Sequence, residues 1–341
     1  MAKLKIHLSN LVDNYFKLKS DSGKAECTAV VKANAYGLGV EAVARALDKN
    51  NCKKYFVANL NEAIDLRSIL PKRDIYVFNG FAKNEEKDFL AHNLHPVINN
   101  WEQLNLWKTN GKQNPCVIHV DSGMNRLGFD GVPQLEGLNV KMIMSHLACA
   151  EDKEDKLNSE QQIYFNGLKN RFRGHKFSLA NSAGVYLGGK FHFDYTRTGI
   201  ALYGGFANMK NVVYLNAKII QIKQIGHNTS VGYGATYKAK SGDVIATLDI
   251  GYADGYMRSL GNKSTCYING IKAPIVGRVS MDLITIDISA LNEKYHQLGQ
   301  EVEILGDNYT ILDMAKDANT IPYEIITRLG SRFDKRYVVE N

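Results

Sequence analysis

At residues 29–39 the chain carries an apolar run that ends in a single lysine, AVVKANAYGLG. A short, β-branched apolar run is typical of a buried strand, and Lys32 follows it directly. A charge in that place is costly, so burial favours the free amine, which is the form that attacks aldehydes. The stretch therefore marks Lys32 as a candidate Schiff-base lysine, although a strand-end lysine that reaches into water also fits the local pattern.

Outward from this stretch, apolar runs and helix-like segments alternate to about residue 205. The predicted strands are Thr28–Lys32, Tyr55–Leu60, Ile75–Asn79, His95–Ile98, Cys116–Val120, Val140–Ser145, Lys176–Ala180 and Phe191–Thr196. Helix-like stretches lie between several of them, for example Glu41–Lys49 and Lys156–Phe172. Strands that alternate with helices predict parallel βαβ units, and eight such strands predict a closed (β/α)8 barrel of the TIM type.

The sequence changes character after Gly204 and Gly205, where strand-like runs dominate. These runs are Val212–Ile222, Val244–Ile250, Thr265–Ile268, Leu283–Ile288 and Glu301–Leu305. Gly and Asn turns such as Asn269-Gly270 separate them. We therefore predict an α/β protein, with a barrel over residues 8–205 and a mainly β C-terminal domain over residues 206–341 that also includes residues 1–7.

The composition is that of an ordinary globular protein, with 45% hydrophobic and 23% charged residues over 341 positions. No run approaches the ~18 consecutive apolar residues that a membrane helix needs. The basic N-terminus is not followed by the apolar core and small-residue cleavage site of a secretory signal. The five cysteines are scattered and include no C-x-x-C pair, which is typical of reduced thiols. We expect a cytoplasmic protein with no membrane partner.

The net charge of +7 raises the question of a nucleic-acid partner. The basic residues are spread along the chain, and there is no helix-turn-helix, zinc-finger, P-loop or G-x-G-x-x-G signature. His92 and His95 are three apart, but Pro96 follows and no carboxylate or cysteine cluster joins them. We expect neither a nucleic acid nor a metal. The mild positive charge instead favours a small anionic substrate or cofactor.

Reactive side chains follow several predicted strands, and a barrel places its active site at the carboxyl ends of its strands. They are Lys32, Arg126, His146, Ser182 and Arg197. Small residues around Ser182 and Gly199 follow the last two strands, where barrels often bind phosphate through backbone N–H groups. Such a site calls for an anionic, phosphorylated ligand with a carbonyl group. Pyridoxal phosphate (PLP) meets all three demands.

Motifs along nearly the whole chain resemble, in order, those of the alanine racemase family. They are the Lys32 run, Asn181–Ala183, Arg197–Gly204, Val231–Tyr237, Gly251–Gly255, Gly277–Asp282 and Pro322–Glu324. The resemblance implies a PLP-dependent isomerase with a barrel and a C-terminal β domain. It also implies the reaction, which interconverts L-alanine and D-alanine and supplies D-alanine for bacterial peptidoglycan.

The resemblance assigns two catalytic groups. Lys32 would hold PLP covalently and act as the base on one face of the substrate, and Tyr233 would act on the opposite face. Because a free tyrosine has a pKa near ~10, the pKa of Tyr233 must be lowered for work near neutrality. In the family this tyrosine reaches the site from the partner subunit, which implies a homodimer with shared active sites. Without the motif order, Tyr233 would be interpreted as a buried packing residue in a Gly-flanked turn.

The resemblance also assigns binding roles. Arg197 would face the pyridine nitrogen of PLP and, since arginine stays protonated, would leave that nitrogen unprotonated. His146 would orient Arg197, although a core histidine fits that position as well. The residues implied for the phosphate are Tyr36, Ser182, Gly199, Ile200 and Tyr323. Those implied for the phenolic oxygen of PLP, the substrate carboxylate and the access channel are Arg126, Met281, Asp282 and Tyr252.

His119 departs from the family pattern. Many members carry a carbamylated lysine at this position, and its negative charge holds the arginine that corresponds to Arg126. Since histidine cannot supply that anion, we expect Arg126 to be held by a neutral hydrogen bond, another carboxylate or a bound anion such as chloride. We expect an anion or a water near His119 and Arg126. The segment between Arg126 and His146 is also shorter than usual, which predicts a reduced fifth barrel helix.

Alternatives to an alanine racemase remain open at this point. The same scaffold would suit a broader racemase for serine or basic amino acids. The resemblance implies a narrow entrance lined by Tyr252, Ile321 and Tyr323, which favours alanine. A related decarboxylase would place a carboxylate, not Arg197, at the pyridine nitrogen. A non-catalytic PLP-binding protein would resemble the barrel alone, whereas Tyr233 belongs to the C-terminal motifs. An inactive relative is a further alternative, because His119 replaces the lysine that many family members carry.

Overall fold

The computed structural model describes residues 2–111 and 113–339, and within them the chain forms two compact units. The barrel unit comprises residues 12–35 and 39–202. The C-terminal unit comprises the residues up to Leu11, residues 36–38 and the residues from Tyr203 onward. The predicted fold class is confirmed, because a closed barrel of eight parallel strands is followed by a mainly antiparallel β unit. No helix in the two described ranges has the length and apolar character needed to span a membrane.

The strands are numbered here in chain order. They are β1 (Lys3–His7), β2 (Glu26–Val30), β3 (Lys54–Val57), β4 (Asp74–Val77), β5 (His95–Ile98), β6 (Pro115–His119), β7 (Asn139–Met144), β8 (Phe177–Ser178), β9 (Tyr195–Thr198), β10 (Val213–Gln224), β11 (Thr229–Val231), β12 (Tyr237–Ala239), β13 (Val244–Leu248), β14 (Thr265–Ile268), β15 (Ile271–Val276), β16 (Ile284–Asp287), β17 (Glu301–Leu305) and β18 (Asp334–Val338). The α-helices are Leu8–Asp21, Val40–Lys49, Leu60–Ile69, Glu86–Ala91, Trp101–Asn110, Lys156–Gly167, Ile311–Ala318 and Pro322–Thr327.

The barrel consists of strands β2 to β9, each paired in parallel with the next. It closes because β9 returns to β2, with Glu26–Ala29 opposite Tyr195–Thr198. At this seam the hydroxyl of Thr28 donates to the carbonyl of Thr196 at 2.8 Å, and the hydroxyl of Thr198 donates to the carbonyl of Thr28 at 2.9 Å. The seam thereby satisfies polar groups that closure of the barrel buries.

The last barrel strand begins later than predicted, although every predicted barrel strand overlaps an observed one. We expected it to span Phe191–Thr196, whereas β9 spans Tyr195–Thr198. The reason lies in Phe193, whose φ of 54° interrupts an extended chain. Its ring packs against Phe165 and Phe177 instead. The apolar character of the predicted run therefore comes partly from side chains that fill the core outside the strand.

The connection between β6 and β7 contains no helix, which confirms the predicted reduction of the fifth barrel helix. Residues 120–138, all of which the structure describes, form turns instead. The carboxylate of Asp121 organises the first turn by accepting the backbone N–H groups of residues 123–125 at 2.8–2.9 Å. Arg126 lies in this compact loop.

The C-terminal unit is built on a sheet with the strand order β13-β16-β15-β14-β17-β10-β1-β18, in which β10 also pairs with β13. Most neighbours are antiparallel, but β1 pairs in parallel with β18. The predicted turn Asn269-Gly270 joins β14 to β15. Its two residues have φ of 48° and 78°, as a type I′ hairpin requires.

Gly255 in this unit is required by two separate constraints. It has a φ of 100°, and a Cβ at this position would lie 2.1 Å from the carbonyl oxygen of Arg328. The residue ends the short 3-10 turn Tyr252–Asp254 and so fixes the course of the chain there. Gly270 offers a comparison, because its φ is also positive but no atom lies within 4 Å of its Cβ position.

Gly255→Ala should destabilise the protein by about 3 kcal/mol or more, because the new Cβ must displace backbone as well as adopt a positive φ. Gly270→Ala is the matched control, since it meets only a conformational cost of about 1 kcal/mol. Urea unfolding followed by circular dichroism measures both losses. Equal losses in the two variants would contradict this account of Gly255.

Candidate active site

A cavity of about 290 Å³ opens where the barrel strands end at their carboxyl termini. Its lining residues are Lys32, Ala58, Phe78, Asn79, His119, Arg126, Leu127, Met144 and His146, all from the barrel unit. The structure thus brings together three predicted site residues, Lys32, Arg126 and His146, and adds His119. Over residues 2–111 and 113–339, no group of three or more His, Cys, Asp or Glu side chains is placed to hold a metal ion.

Lys32 stands at the start of a left-handed turn that the sequence did not predict. We expected the first barrel strand to include Lys32, but β2 ends two residues earlier, and residues 33–36 all have φ between 52° and 57°. Because such a conformation costs roughly 1–2 kcal/mol for each residue other than glycine, surrounding contacts must hold the turn. The side-chain oxygen of Asn34 accepts the N–H of Val40 at 2.8 Å, and its carbonyl accepts the N–H of Gly39 at 2.9 Å.

The surroundings of Lys32 lower the pKa of its amine below the ordinary value of 10.5. Burial is the main cause, the positive charge of Arg126 adds to it, and the carboxylate of Glu62 acts in the opposite direction. The amine nitrogen lies 5.9 Å from the centre of the Phe78 ring. A larger fraction of this lysine is therefore a free amine near neutral pH than in an exposed lysine.

Arg197 lies on β9 with only 2% of its surface exposed. Its Nη1 donates to Oγ of Ser178 at 2.6 Å, and its Nη2 donates to the carbonyl oxygens of Ser145 and Leu179 at 2.6 and 3.2 Å. Its Nε has no hydrogen-bond partner among the described residues. Burial lowers the pKa of Arg197 to about 9, so the guanidinium is still protonated at neutral pH. The site therefore holds a buried N–H donor that an acceptor on a ligand could satisfy.

His146 lies beside Arg197, with 3.3 Å between its Nδ1 and Nη2 of the arginine. Since a guanidinium only donates, Nδ1 is the acceptor and the ring proton of the neutral form is on Nε2. Burial and the positive charges of Arg197 and Arg126 hold the pKa of His146 well below 6.5. His146 is therefore neutral at physiological pH, and its role in orienting Arg197 stays a prediction.

His119 is neutral as well, and Asn99 determines where its proton lies. The amide nitrogen of Asn99 donates to the carbonyl oxygens of Phe78 and Val97, both at 2.9 Å, so its oxygen faces Nδ1 of His119 at 2.8 Å. Nδ1 must carry the proton, and Nε2 keeps a lone pair. Burial, and secondarily the charge of Arg197, lowers the pKa of His119 to about 4.

Ser182, Gly199 and Ile200 lie together after strands β8 and β9. The hydroxyl oxygen of Ser182 accepts the N–H of Gly199 at 2.8 Å and that of Ala201 at 3.3 Å. Ser182 and Ile200 are both buried. The N–H of Gly199 therefore already has a protein partner. A phosphate bound here would contact Ser182 and Gly199 while they are hydrogen-bonded to each other.

Tyr36 and Tyr323, the other two residues predicted for a phosphate, meet in the C-terminal unit. Their ring centres are 6.1 Å apart, and Tyr36 also packs against Tyr203 at 4.6 Å. Burial and the neighbouring Tyr323 raise the pKa of Tyr36 above its usual 10. The Tyr36 hydroxyl therefore keeps its proton and can act as a donor to an anion.

The C-terminal unit also gathers the residues predicted for the substrate and the access channel, Tyr252, Met281 and Asp282. The N–H of Tyr252 donates to the carbonyl of Ser280 at 3.0 Å, and the N–H of Ala253 donates to the carbonyl of Met281 at 2.9 Å. These two hydrogen bonds hold the 3-10 turn that begins at Tyr252 against the segment that carries Met281. Backbone hydrogen bonds therefore hold Tyr252 close to Met281 and Asp282.

Tyr233 is 72% exposed and opens the 3-10 turn Tyr233–Ala235, directly after Gly232, whose φ is 74°. The alternative interpretation of Tyr233 as a buried packing residue is therefore wrong. Most of the surface of this residue is open to contact with another molecule. The glycine before it allows the turn that presents the ring outward.

Two charged residues at the predicted site were missed in the sequence. Arg332 donates through Nη1 to Oδ1 of Asp282 at 2.8 Å. Glu62 accepts two backbone N–H groups at 2.8 Å, one of them from the residue after Lys32. The spacing of Glu62, three residues after the helix cap Asn59, is a helix-start signal and could have drawn attention to it. No local pattern marks Arg332.

Comparison with known proteins identifies the family. The alanine racemase N-terminal domain matches residues 6–206, and the alanine racemase C-terminal domain matches residues 212–337. The chain belongs to the alanine racemase family, which confirms the resemblance found in the motifs.

Relatives and solved structures match over almost the entire chain. The alanine racemase of Rhodospirillum rubrum is 40% identical over 98% of this chain and 96% of its own, and that of Rickettsia canadensis is 40% identical over 99% of each. A crystal structure of alanine racemase from Bartonella henselae with covalently bound pyridoxal phosphate is 38% identical, with a TM-score of 0.93 over 99% of each chain. The biosynthetic alanine racemase of Pseudomonas aeruginosa is 32% identical, with a TM-score of 0.92 over 99% of each chain.

His119→Gln should flatten the dependence of stability on pH. The pKa of His119 falls from 6.5 to about 4 on folding, so the unfolded chain binds more protons between these values and stability is lost as the pH falls through them. Between about pH 7.5 and about pH 5 the loss from this residue is about 2 kcal/mol. Urea unfolding across this range measures it. His227→Gln, an exposed control, should keep the wild-type slope, and a wild-type slope in His119→Gln would contradict the neutral assignment.

Proposed function

We propose that this protein is a PLP-dependent alanine racemase, an isomerase that interconverts L-alanine and D-alanine. The observation that carries the proposal is the placement of Lys32, a half-buried amine with a lowered pKa, at the mouth of a barrel in which Arg197 keeps a buried, unpaired N–H. Membership of the family supports it, as do relatives named alanine racemase that match over 96–99% of their length.

The residues present fit PLP. The buried Nε–H of Arg197 matches the lone pair of a pyridine nitrogen and would leave that nitrogen unprotonated, because the guanidinium keeps its own proton. The amine of Lys32 matches the aldehyde. We assign the phosphate to Tyr36, Ser182, Gly199, Ile200 and Tyr323. When bound, PLP withdraws electrons from the α-carbon of an amino acid and so makes its hydrogen acidic.

Lys32 holds the cofactor covalently and, once released as a free amine, moves the proton on one face of the substrate α-carbon. Both tasks need an unprotonated nitrogen. Burial and the charge of Arg126 favour that state by lowering the pKa of Lys32. His146, neutral beside Arg197, orients the guanidinium toward the ring nitrogen.

Tyr233 moves the proton on the opposite face, and it does so in the site of a second copy of the chain. Its 72% exposure supports this, as does that of Met281 (54%) and Ile321 (50%) in the same unit. Exposed apolar side chains of this kind are typical of surfaces that other proteins cover. The active form is therefore a homodimer with two shared sites.

Arg126 binds the substrate carboxylate, a task that suits a guanidinium, together with the N–H of Met281 from the partner subunit. Tyr252 and Asp282 line the access channel. His119 is neutral and offers the lone pair of Nε2, so it accepts a hydrogen bond from Arg126 or from a water beside it. Of the two ligands expected at this place, water fits that lone pair better than an anion does.

Three further assignments complete the proposal. We assign the domains to residues 8–205 and to residues 206–341 with 1–7, on the change in sequence character after Gly205, whereas the compact units group residues 8–11 and 36–38 with the C-terminal unit. The protein is cytoplasmic, for which the free thiols of all five cysteines are support. The D-alanine that it produces is used for peptidoglycan.

Lys32→Ala should abolish both the visible absorbance of bound PLP and the formation of D-alanine from L-alanine. It removes the covalent attachment and one proton carrier together. Tyr233→Phe should keep the absorbance and lose about 10²–10⁴-fold in rate, because only the phenolic proton is removed. A chiral assay for D-alanine and an absorbance scan measure both.

Tyr237→Phe is the control for the tyrosine, because it removes a hydroxyl that is bonded to Asp287 and should leave the rate near that of the wild type. Full activity in Tyr233→Phe would refute the two-base assignment. If PLP binds but alanine, serine and lysine all fail to racemise, the cofactor assignment stands and the racemase assignment is wrong.

Mixed dimers of the two inactive variants test whether the sites are shared. If Lys32 of one copy works with Tyr233 of the other, a dimer of Lys32→Ala with Tyr233→Phe has one intact site and one doubly altered site. We expect about half the wild-type activity in the mixed dimer, purified with two different affinity tags. A mixed dimer as inactive as its parents would mean that each site lies within one copy.

A further inference from the structure

A carboxylate that the proposed reaction does not use joins the ends of two barrel strands. Glu62 lies in the first turn of the helix Leu60–Ile69. Its Oε1 accepts the N–H of Ala33 and its Oε2 accepts the N–H of Ala58, both at 2.8 Å. Ala33 follows Lys32, and Ala58 follows β3 and lines the cavity. One side chain therefore fixes two backbone segments at the mouth of the barrel.

The contact with Ala33 falls on the strained part of the site. Ala33 has φ of 52° and ψ of 49°, and residues 34–36 continue in the left-handed region without a glycine. Because Glu62 uses a separate oxygen for each N–H, the start of this turn is tied to the end of β3. The other end of the turn is held by Asn34, which accepts the N–H of Val40.

Glu62 also acts on Lys32 through its charge. The groups that face the Lys32 amine are Arg126 and His146, from the segments after β6 and β7, and Glu62, from the helix after β3. Arg126 disfavours the ammonium form of Lys32 and Glu62 favours it. The two effects of Glu62 are separable, since glutamine keeps the size and loses the charge, whereas aspartate keeps the charge and loses reach.

We propose that Glu62 is a positioning residue: by holding the left-handed turn, it places the amine of Lys32 for attack on the aldehyde cofactor. The inference rests on the proposed function, because it gives Lys32 an aldehyde to attack. The placement acts through the hydrogen bond to the backbone of Ala33 and is separate from the effect of the Glu62 charge on Lys32.

Three variants of the 341-residue chain separate geometry from charge. Glu62→Gln turns an NH₂ group toward one of the two N–H groups, so one hydrogen bond is lost along with the charge. Glu62→Asp keeps the charge but is one methylene too short to reach both. Glu102→Gln is the matched control, since Glu102 is an exposed carboxylate in the first turn of the helix Trp101–Asn110. Urea unfolding of each variant reports any general loss of stability.

Hydrogen exchange of the PLP-free protein tests the clamp itself. Peptides that contain the amides of Ala33 and Ala58 should exchange about tenfold faster in both Glu62 variants and at the wild-type rate in Glu102→Gln. Unchanged exchange in both Glu62 variants would overturn the proposal. Should Glu62→Gln fail to fold, Glu62→Asp carries this measurement and the next.

Timed reaction with PLP tests the placement of Lys32. The amine condenses with the aldehyde, water leaves, and a hydride from added borohydride makes the new C–N bond permanent for mass spectrometry. At high pH, where the amine is unprotonated, the plateau rate should fall about tenfold in both Glu62 variants. The midpoint of the pH profile should move to lower pH only in Glu62→Gln, because only that variant loses the charge.

The outcomes separate this inference from the proposed function. If the wild type is not labelled at Lys32, the proposed function fails, and hydrogen exchange still decides whether Glu62 clamps the turn. The inference would be overturned if both Glu62 variants kept the wild-type plateau rate of labelling at high pH. This holds even if the midpoint of the pH profile shifts or the urea concentration at half-unfolding falls. An equal fall in Glu102→Gln would overturn it as well.

Discussion

The burial of positive charge at the carboxyl end of the barrel is the constraint on which the site depends. Arg197 is held there by hydroxyl and carbonyl oxygens and by His146, with no carboxylate among these partners. Because a guanidinium stays protonated, its neighbours must adjust. His146 and His119 are neutral, and burial together with the charge of Arg126 moves Lys32 toward the free amine. A site arranged in this way attracts phosphate and carboxylate groups and presents them with a nucleophile.

Most of the barrel was predictable because its signals are local. Buried parallel strands are continuous apolar runs in sequence, and each predicted run overlaps an observed strand. The position of Lys32 after the first of them followed for the same reason. The left-handed turn over residues 33–36 was not predictable, since its sequence contains no glycine. Its conformation is imposed in part by a hydrogen bond to Glu62, which lies 29 residues along the chain from Ala33.

The sequence indicated which side chains share the barrel mouth, but it could not give their protonation. Because a histidine stands at position 119, the sequence left open whether a neutral hydrogen bond, a carboxylate or a bound anion holds Arg126. The tautomer of His119 depends on the orientation of Asn99, which is fixed by the carbonyl of Phe78, just after β4, and the carbonyl of Val97 on β5. A neutral histidine keeps the site more positive than an anionic side chain would. The exposure of Tyr233 likewise depends on how the C-terminal unit folds around its turn, which spacing alone does not describe.

The central claim is that burial and a neighbouring cation lower the pKa of the Lys32 amine and so favour its unprotonated form. Its most direct test is an NMR titration of the lysine side chains in the PLP-free protein, with the Lys32 signal assigned as the one missing from Lys32→Ala. The account predicts that Lys32 titrates below 10.5, the ordinary value for a lysine. A Lys32 signal that titrates at or above that value would contradict it.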